Sequence, residues 1–150
     1  MKKKYRYKSL TDTIIQIKNQ AVESIPFCYE ITEGISSPEQ LFYFLKTLVT
    51  YKNDPPGIEL VHTVESLFEK NFHGEPGSGD CDDFTVLSLA CLYTLGITPF
   101  IVLSGNQKDH PTHIYVTFLK DGNYFVFDLT QTYFNQERKY KFNQILKTYL

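Results

Sequence analysis

The stretch from Gly79 to Gly96 narrows the possible folds more than any other part of the chain. It reads Gly-Asp-Cys-Asp-Asp, then Phe84 to Leu95, then glycine. The glycines of Gly77-Ser78-Gly79 free the backbone to turn, and Asp80 is a favoured N-cap residue ahead of a long apolar run. Val86, Leu87, Leu89, Ala90, Cys91, Leu92, Tyr93 and Leu95 cover nearly the whole circumference of a helix. A helix apolar on every side belongs in the middle of a domain. Gly96 stands where a left-handed C-terminal residue is wanted. Cys81 then falls in the first turn of a buried helix, where exposed N–H groups and the positive end of the dipole favour a thiolate.

The 150 residues fit one domain spanning 1–150 with a single core. A hydrophobic fraction of 42%, with 12 Phe and 11 Tyr, points to a globular fold. A net charge of −2 gives no general pull toward nucleic acid. The basic run Lys2, Lys3, Lys4, Arg6 and Lys8 reads as a solvated, flexible tail over residues 1–8. No signal-peptide core follows it and no apolar run reaches transmembrane length. The expected setting is therefore cytoplasmic, with no membrane partner.

Cys28, Cys81 and Cys91 are too few, and odd in number, for a disulfide scaffold. Ten residues of helix would hold Cys81 and Cys91 about 15 Å apart, beyond the reach of a bridge. Cys28 and Cys91 have apolar neighbours and read as small core residues; Cys81 alone is flanked by polar ones.

Along the chain, Thr11 or Asp12 opens a helix with Ile14, Ile17, Ala21 and Ile25 on one stripe, and Pro26 is expected to end it. Ser37-Pro38-Glu39-Gln40 is a helix start with a capping box, expected to carry Leu41, Phe44, Leu45 and Leu48 inward. Asp54-Pro55-Pro56-Gly57 is a break, Thr63 to Lys70 a short helix, and His73 to Gly79 a loop. After Gly96 the period changes to 2. Thr98 to Leu103, His113 to Lys120 and Asn123 to Thr130 read as strands, the last two joined by a type I′ turn at Asp121-Gly122. A last helix is expected near Asn143 to Leu150. Helices, a central helix and then antiparallel strands make an α+β class.

A cysteine at a helix start, a histidine on one strand and an acid on the next form the set a thiol enzyme needs. The thiolate attacks a carbonyl, the imidazole carries the proton, and the acid fixes the imidazole tautomer. The two-residue turn pairs Lys120 with Asn123, so Asp128 faces Tyr115 and His113 lies diagonally across on the same side. His110 has the opposite parity and sits before Pro111. Asp80, Asp82 and Asp83 surround the thiol and would raise its pKa, against the dipole and a protonated His113.

Gly79-Asp80-Cys81-Asp82-Asp83, Leu95-Gly96-Ile97, His113-Ile114-Tyr115-Val116 and Phe127-Asp128-Leu129-Thr130 together resemble the transglutaminase-like superfamily. The resemblance covers roughly Asp54 to Thr130. Asp54-Pro55-Pro56-Gly57-Ile58-Glu59 resembles versions carried by tailed phages and prophages. The resemblance implies a papain-like α+β fold, with Cys81 as nucleophile, His113 as base and Asp128 as orienter. It implies a protein or peptide substrate, no cofactor and no metal. Crosslinking members carry Trp after the cysteine; this chain has Asp82 there and no Trp. Hydrolysis is therefore expected over glutamine–lysine crosslinking.

Several positions keep two readings. Cys81 is either a nucleophile or a buried structural thiol, and Asp83 either orients the site or is a solvated first-turn acid. Tyr51 is a candidate second oxyanion donor or an ordinary core or surface tyrosine. A metal held by Cys81, Asp82, Asp83 and a histidine lacks the paired spacing of zinc sites. His62 and His73 are expected at the surface. At the level of function, a cysteine hydrolase or acyltransferase stands against an inactive member of the fold kept for structure or binding. If the first holds, limited iodoacetamide treatment near neutral pH should label Cys81 before Cys28 and Cys91, as read by peptide mass spectrometry. Preferential labelling of either core cysteine would contradict the nucleophile assignment.

Overall fold

The computed structural model describes residues 2–5, 10–53, 59–69 and 77–147. In chain order the elements are β1 (Lys2–Tyr5), α1 (Leu10–Ile31), α2 (Pro38–Leu48), β2 (Val49–Tyr51), β3 (Glu59–His62) and α3 (Val64–Leu67). They continue with β4 (Gly77–Gly79), α4 (Cys81–Thr94), β5 (Pro99–Gly105), β6 (His113–Lys120), β7 (Asn123–Phe127) and β8 (Phe142–Lys147). The class is α+β, with N-terminal helices and a central cysteine-bearing helix against an antiparallel sheet.

Helix α4 is the element around which the others close. Every residue from Asp83 to Leu92 is buried. The helix packs against α1 on one side and strands β5 and β6 on another, which satisfies its apolar circumference. Asp80 caps it, and Gly96 ends it at φ 78°, with Gly96 N–H on Tyr93 O and Ile97 N–H on Leu92 O at 2.9 and 3.1 Å. This is a Schellman ending, and glycine supplies the left-handed residue at no steric cost.

The main sheet runs β7-β6-β5-β8, all antiparallel. Asp121 and Gly122 take φ 52° and 80°, as a type I′ turn requires, and the ladder runs from Lys120↔Asn123 to Val116↔Phe127. Strand β7 stops at Phe127, three residues short of the expected end, because Asp128 turns the chain: Gln131 N–H reaches Asp128 O at 2.9 Å. A small parallel pair, β2 with β4, sets Tyr51 beside Gly79 on the approach to Cys81.

Five expectations are corrected. Pro26 does not end α1, which continues to Ile31. Pro26 and Val22, whose carbonyl the missing N–H would have met, are both exposed, so water can take that acceptor. Buried Cys28 and the partly buried Phe27 and Ile31 hold the extra turn against the core. In α2 the buried residues are Pro38, Leu41, Phe42 and Leu45; Phe42, not Phe44, faces inward. Its cap is also split: Ser37 Oγ accepts from Gln40 N–H, while Gln40 Oε1 accepts from Ser36 N–H. The expected last helix is strand β8, paired along β5 from Phe100↔Lys147 to Gly105↔Phe142. An open edge of β5 offers that short segment a full set of backbone partners, which a helix of this length would struggle to match. Lys2–Tyr5, expected in a free basic tail, pair antiparallel with β3, whose backbone N–H and C=O groups give the segment partners that its charge pattern does not reveal. The Asp54-Pro55-Pro56-Gly57 break and most of the His73–Gly79 loop lie outside the described residues.

Phe42 is fully buried and meets Phe127 and Phe134 edge-on at 5.5 and 5.9 Å, whereas Phe44 is 38% exposed. Phe42→Ala should cost about 3–5 kcal/mol in chemical denaturation and Phe44→Ala about 1 kcal/mol or less. Equal losses would contradict this assignment of the inward face.

Candidate active site

The site begins at the start of α4. Asp80 Oδ1 accepts from Asp82 and Asp83 N–H at 3.0 and 3.3 Å, and Asp83 Oδ2 accepts from Asp80 N–H at 3.1 Å. This capping box takes the second and third helical N–H groups and leaves that of Cys81 to face outward. Asp83 is thus a buried structural acid rather than a solvated one. Its side chain also explains Gly79: a Cβ on residue 79 would lie 2.6 Å from Asp83 Cβ.

The half-buried Cys81 thiol lies 3.9 Å from Asp82 Oδ1, and Cys81 shares a small cleft with Ile114, at the start of β6, and with Asp128. Burial pushes its pKa up, and Asp82 and Asp80 push the same way; the Ile114 N–H opposes them. The thiol is therefore the resting form. A proton acceptor has to be present when sulfur attacks.

His113 precedes Ile114. Its Nε2 lies 2.7 Å from Asp128 Oδ2, with both side chains buried. Asp128 is fixed in turn: Oδ1 accepts from Thr130 N–H at 3.0 Å and from Thr130 Oγ1 at 2.7 Å. Lys46 Nζ, from α2, donates to the neighbouring Leu129 carbonyl at 3.0 Å. Burial lowers the Lys46 pKa, with the Asp128 charge acting the other way. The diagonal placement expected from a two-residue turn is the one found. The structure joins His113 to Asp128 directly and sets Cys81 against the next residue of the histidine's strand, near enough for the Asp128 charge to raise the thiol pKa. His110 is exposed in the β5–β6 turn, its N–H on Gln107 O at 3.2 Å. The side chain of His62, and all of His73, lie outside the described residues.

Tyr51 stands half-exposed beside the helix start, its ring edge-on to Phe84 at 5.9 Å. Burial raises its pKa first, then the Cys81 and Asp80 charges, so the hydroxyl keeps its proton as a donor. Other neighbours carry no local sequence signal. The His113 ring stacks on Tyr115 at 5.4 Å and on Tyr140 at 5.9 Å. Tyr115 has its pKa pushed up to about 12, chiefly by burial. Arg138 donates to the Tyr140 hydroxyl at 3.3 Å, and that bond raises its pKa first. Thr130 was findable from the Asp-x-Thr spacing, which suits an Asx turn; Tyr140 and Arg138 return to the site only because β8 pairs with β5.

The profile of a family described as a transglutaminase-like domain matches residues 1–148. No curated protein matches the sequence. Among solved structures, a candidate cysteine protease from Cytophaga hutchinsonii superposes with a TM-score of 0.50 at 19% identity, over 83% of this chain and 44% of that one. A candidate protease from Parabacteroides distasonis gives 0.48 at 12% identity, over 79% and 26%. A structure described as a TGase gives 0.45 at 13% identity, over 88% and 36%. This chain thus spans less than half the length of each.

Asp82 is the leading charge acting on the thiol, so Asp82→Asn should lower the Cys81 pKa. The sign follows from the anion: removing a nearby carboxylate favours the thiolate, shifting the alkylation rate–pH curve to lower pH. At about pH 8 the rate should rise roughly two- to tenfold. A slower reaction in Asp82→Asn would contradict this electrostatic account.

Proposed function

This chain belongs to the transglutaminase-like domain family, and we propose that it is a cysteine-dependent hydrolase or acyltransferase acting on peptide or amide bonds. In this reading Cys81 is the nucleophile, His113 the base and Asp128 its orienter. The observation that carries it is the buried 2.7 Å His113–Asp128 bond, with Cys81, Ile114 and Asp128 lining one small cleft.

Asp128 engages Nε2, which leaves Nδ1 of His113 for the thiol proton. As that proton leaves, Sγ forms a bond to the carbonyl carbon and the carbonyl oxygen becomes an oxyanion. The Cys81 N–H at the helix start faces that charge, with the Tyr51 hydroxyl as a candidate second donor. The intermediate collapses, the C–N bond breaks, and the amine departs with the proton from His113. Water, activated by the same imidazole, then attacks the thioester, releasing acid and restoring the thiol. An amine in place of water gives transfer. Asp82, where crosslinking relatives carry Trp, favours the hydrolytic branch. A second reading, an inactive fold used for binding, is supported by the setting of the thiol: burial first, then Asp82 and Asp80, favour its protonated form.

A peptide and amide library incubated with wild type and Cys81→Ala, with and without a primary amine, separates these readings. Hydrolysis should exceed amine incorporation and vanish in Cys81→Ala, and His113→Ala should lose about 10²–10⁴-fold. Dominant amine incorporation would reverse the preference for water. No Cys81-dependent turnover of any substrate would leave the binding reading.

A further inference from the structure

We infer that Tyr140, together with Tyr115, is a positioning residue for His113, holding the imidazole by stacked ring contacts. The inference rests on the Cys81–His113–Asp128 reading and extends the site to the segment between β7 and β8. The Tyr115 ring lies 24° from the plane of the imidazole and the Tyr140 ring 28°, with centroids 5.4 and 5.9 Å away. Both fall within the range of favourable offset stacking.

A catalytic imidazole has a specific positional problem. Both ring nitrogens are committed, Nε2 to Asp128 and, in the proposed mechanism, Nδ1 to the proton of Cys81. A third hydrogen bond to hold the ring would compete with one of those tasks. Stacking avoids the competition, because it restrains rotation of the ring while leaving both nitrogens at its edge. The faces of tyrosines also attract the positive charge that the ring gains on taking a proton.

Each tyrosine is itself held. Tyr115 lies two residues along β6 from His113, on the same side of the strand, and is buried. Tyr140 lies on residues 128–141, which connect β7 at one edge of the sheet to β8 at the other. An irregular connection of this length in a compact domain is uncommon and usually functional. It is anchored to β7: Asn135, at φ 59°, gives its N–H to Val126 O at 3.1 Å and its Oδ1 accepts from Val126 N–H at 2.8 Å. Beyond it, Arg138 donates to the Tyr140 hydroxyl.

The test compares iodoacetamide rates at Cys81, at neutral pH, for wild type, Tyr140→Ala, Tyr140→Phe and His113→Ala, alongside thermal unfolding of each. Tyr140→Ala should slow alkylation about two- to tenfold with little change in melting temperature, and Tyr140→Phe, which keeps the ring, should restore the wild-type rate. Tyr140→Leu serves where alanine disturbs folding. There the His113 Hε1 proton resonance, displaced upfield by flanking rings, should move downfield. If Tyr140→Ala reacts as wild type while His113→Ala is slow, the clamp is overturned and the triad stands. Equal losses in Tyr140→Phe and Tyr140→Ala, or an unmoved Hε1 resonance, also overturn it. If His113→Ala itself reacts as wild type, the triad and the clamp fall together.

Discussion

Enclosure of a helix that is apolar on every side governs this structure. Helix α4 has no face between Asp83 and Leu92 to give to water, so α1 and the sheet must close around it, and the partly covered residues at its start are Cys81 and Asp82. Cys81 is the first residue of the helix. Burial of the helix thus fixes the thiol in space to within the tolerance of core packing, and the strand packed beside it, β6, brings Ile114 and His113 to the same place. In the proposed mechanism, precision at the nucleophile is a by-product of the core.

The same helix start carries an electrostatic conflict. Its dipole and outward N–H groups favour an anion, but the residues that build the cap are acids. Asp80 satisfies two backbone N–H groups, an arrangement worth about 1 kcal/mol of helix stability, while it and Asp82 hold the thiol protonated. Under the proposed function this moves the burden to His113, which must accept the proton as sulfur attacks rather than rely on a preformed thiolate. A ring with that duty gains from a fixed orientation, which is what Asp128 and the flanking tyrosines are placed to supply.

Legibility in the sequence followed the range of the interaction. Helix α4 was readable because its cap, apolar circumference and glycine stop are all local. The facing of His113 and Asp128 was readable because a two-residue turn sets register, and register sets faces. The adjacent acids that oppose a thiolate were readable, but the burial that contributes most to the thiol's raised pKa was not. The choice of Phe42 over Phe44 was not, since it depends on where Phe127 and Phe134 sit. Strand β8 needed knowledge of an unfilled edge of β5, and Tyr140 reaches His113 only through that pairing. Continuation of α1 past Pro26 turned on which side of the helix faced water.

The most direct measurement of the central claim is formation of an acyl-enzyme. Wild type, His113→Ala and His110→Ala would each be mixed with an activated acyl ester at neutral pH and followed by intact and peptide mass spectrometry. The account predicts a single acyl group on Cys81, formed at similar rates in wild type and His110→Ala and about a hundredfold more slowly in His113→Ala. Acylation at another residue, or a His113→Ala rate equal to wild type, would contradict it.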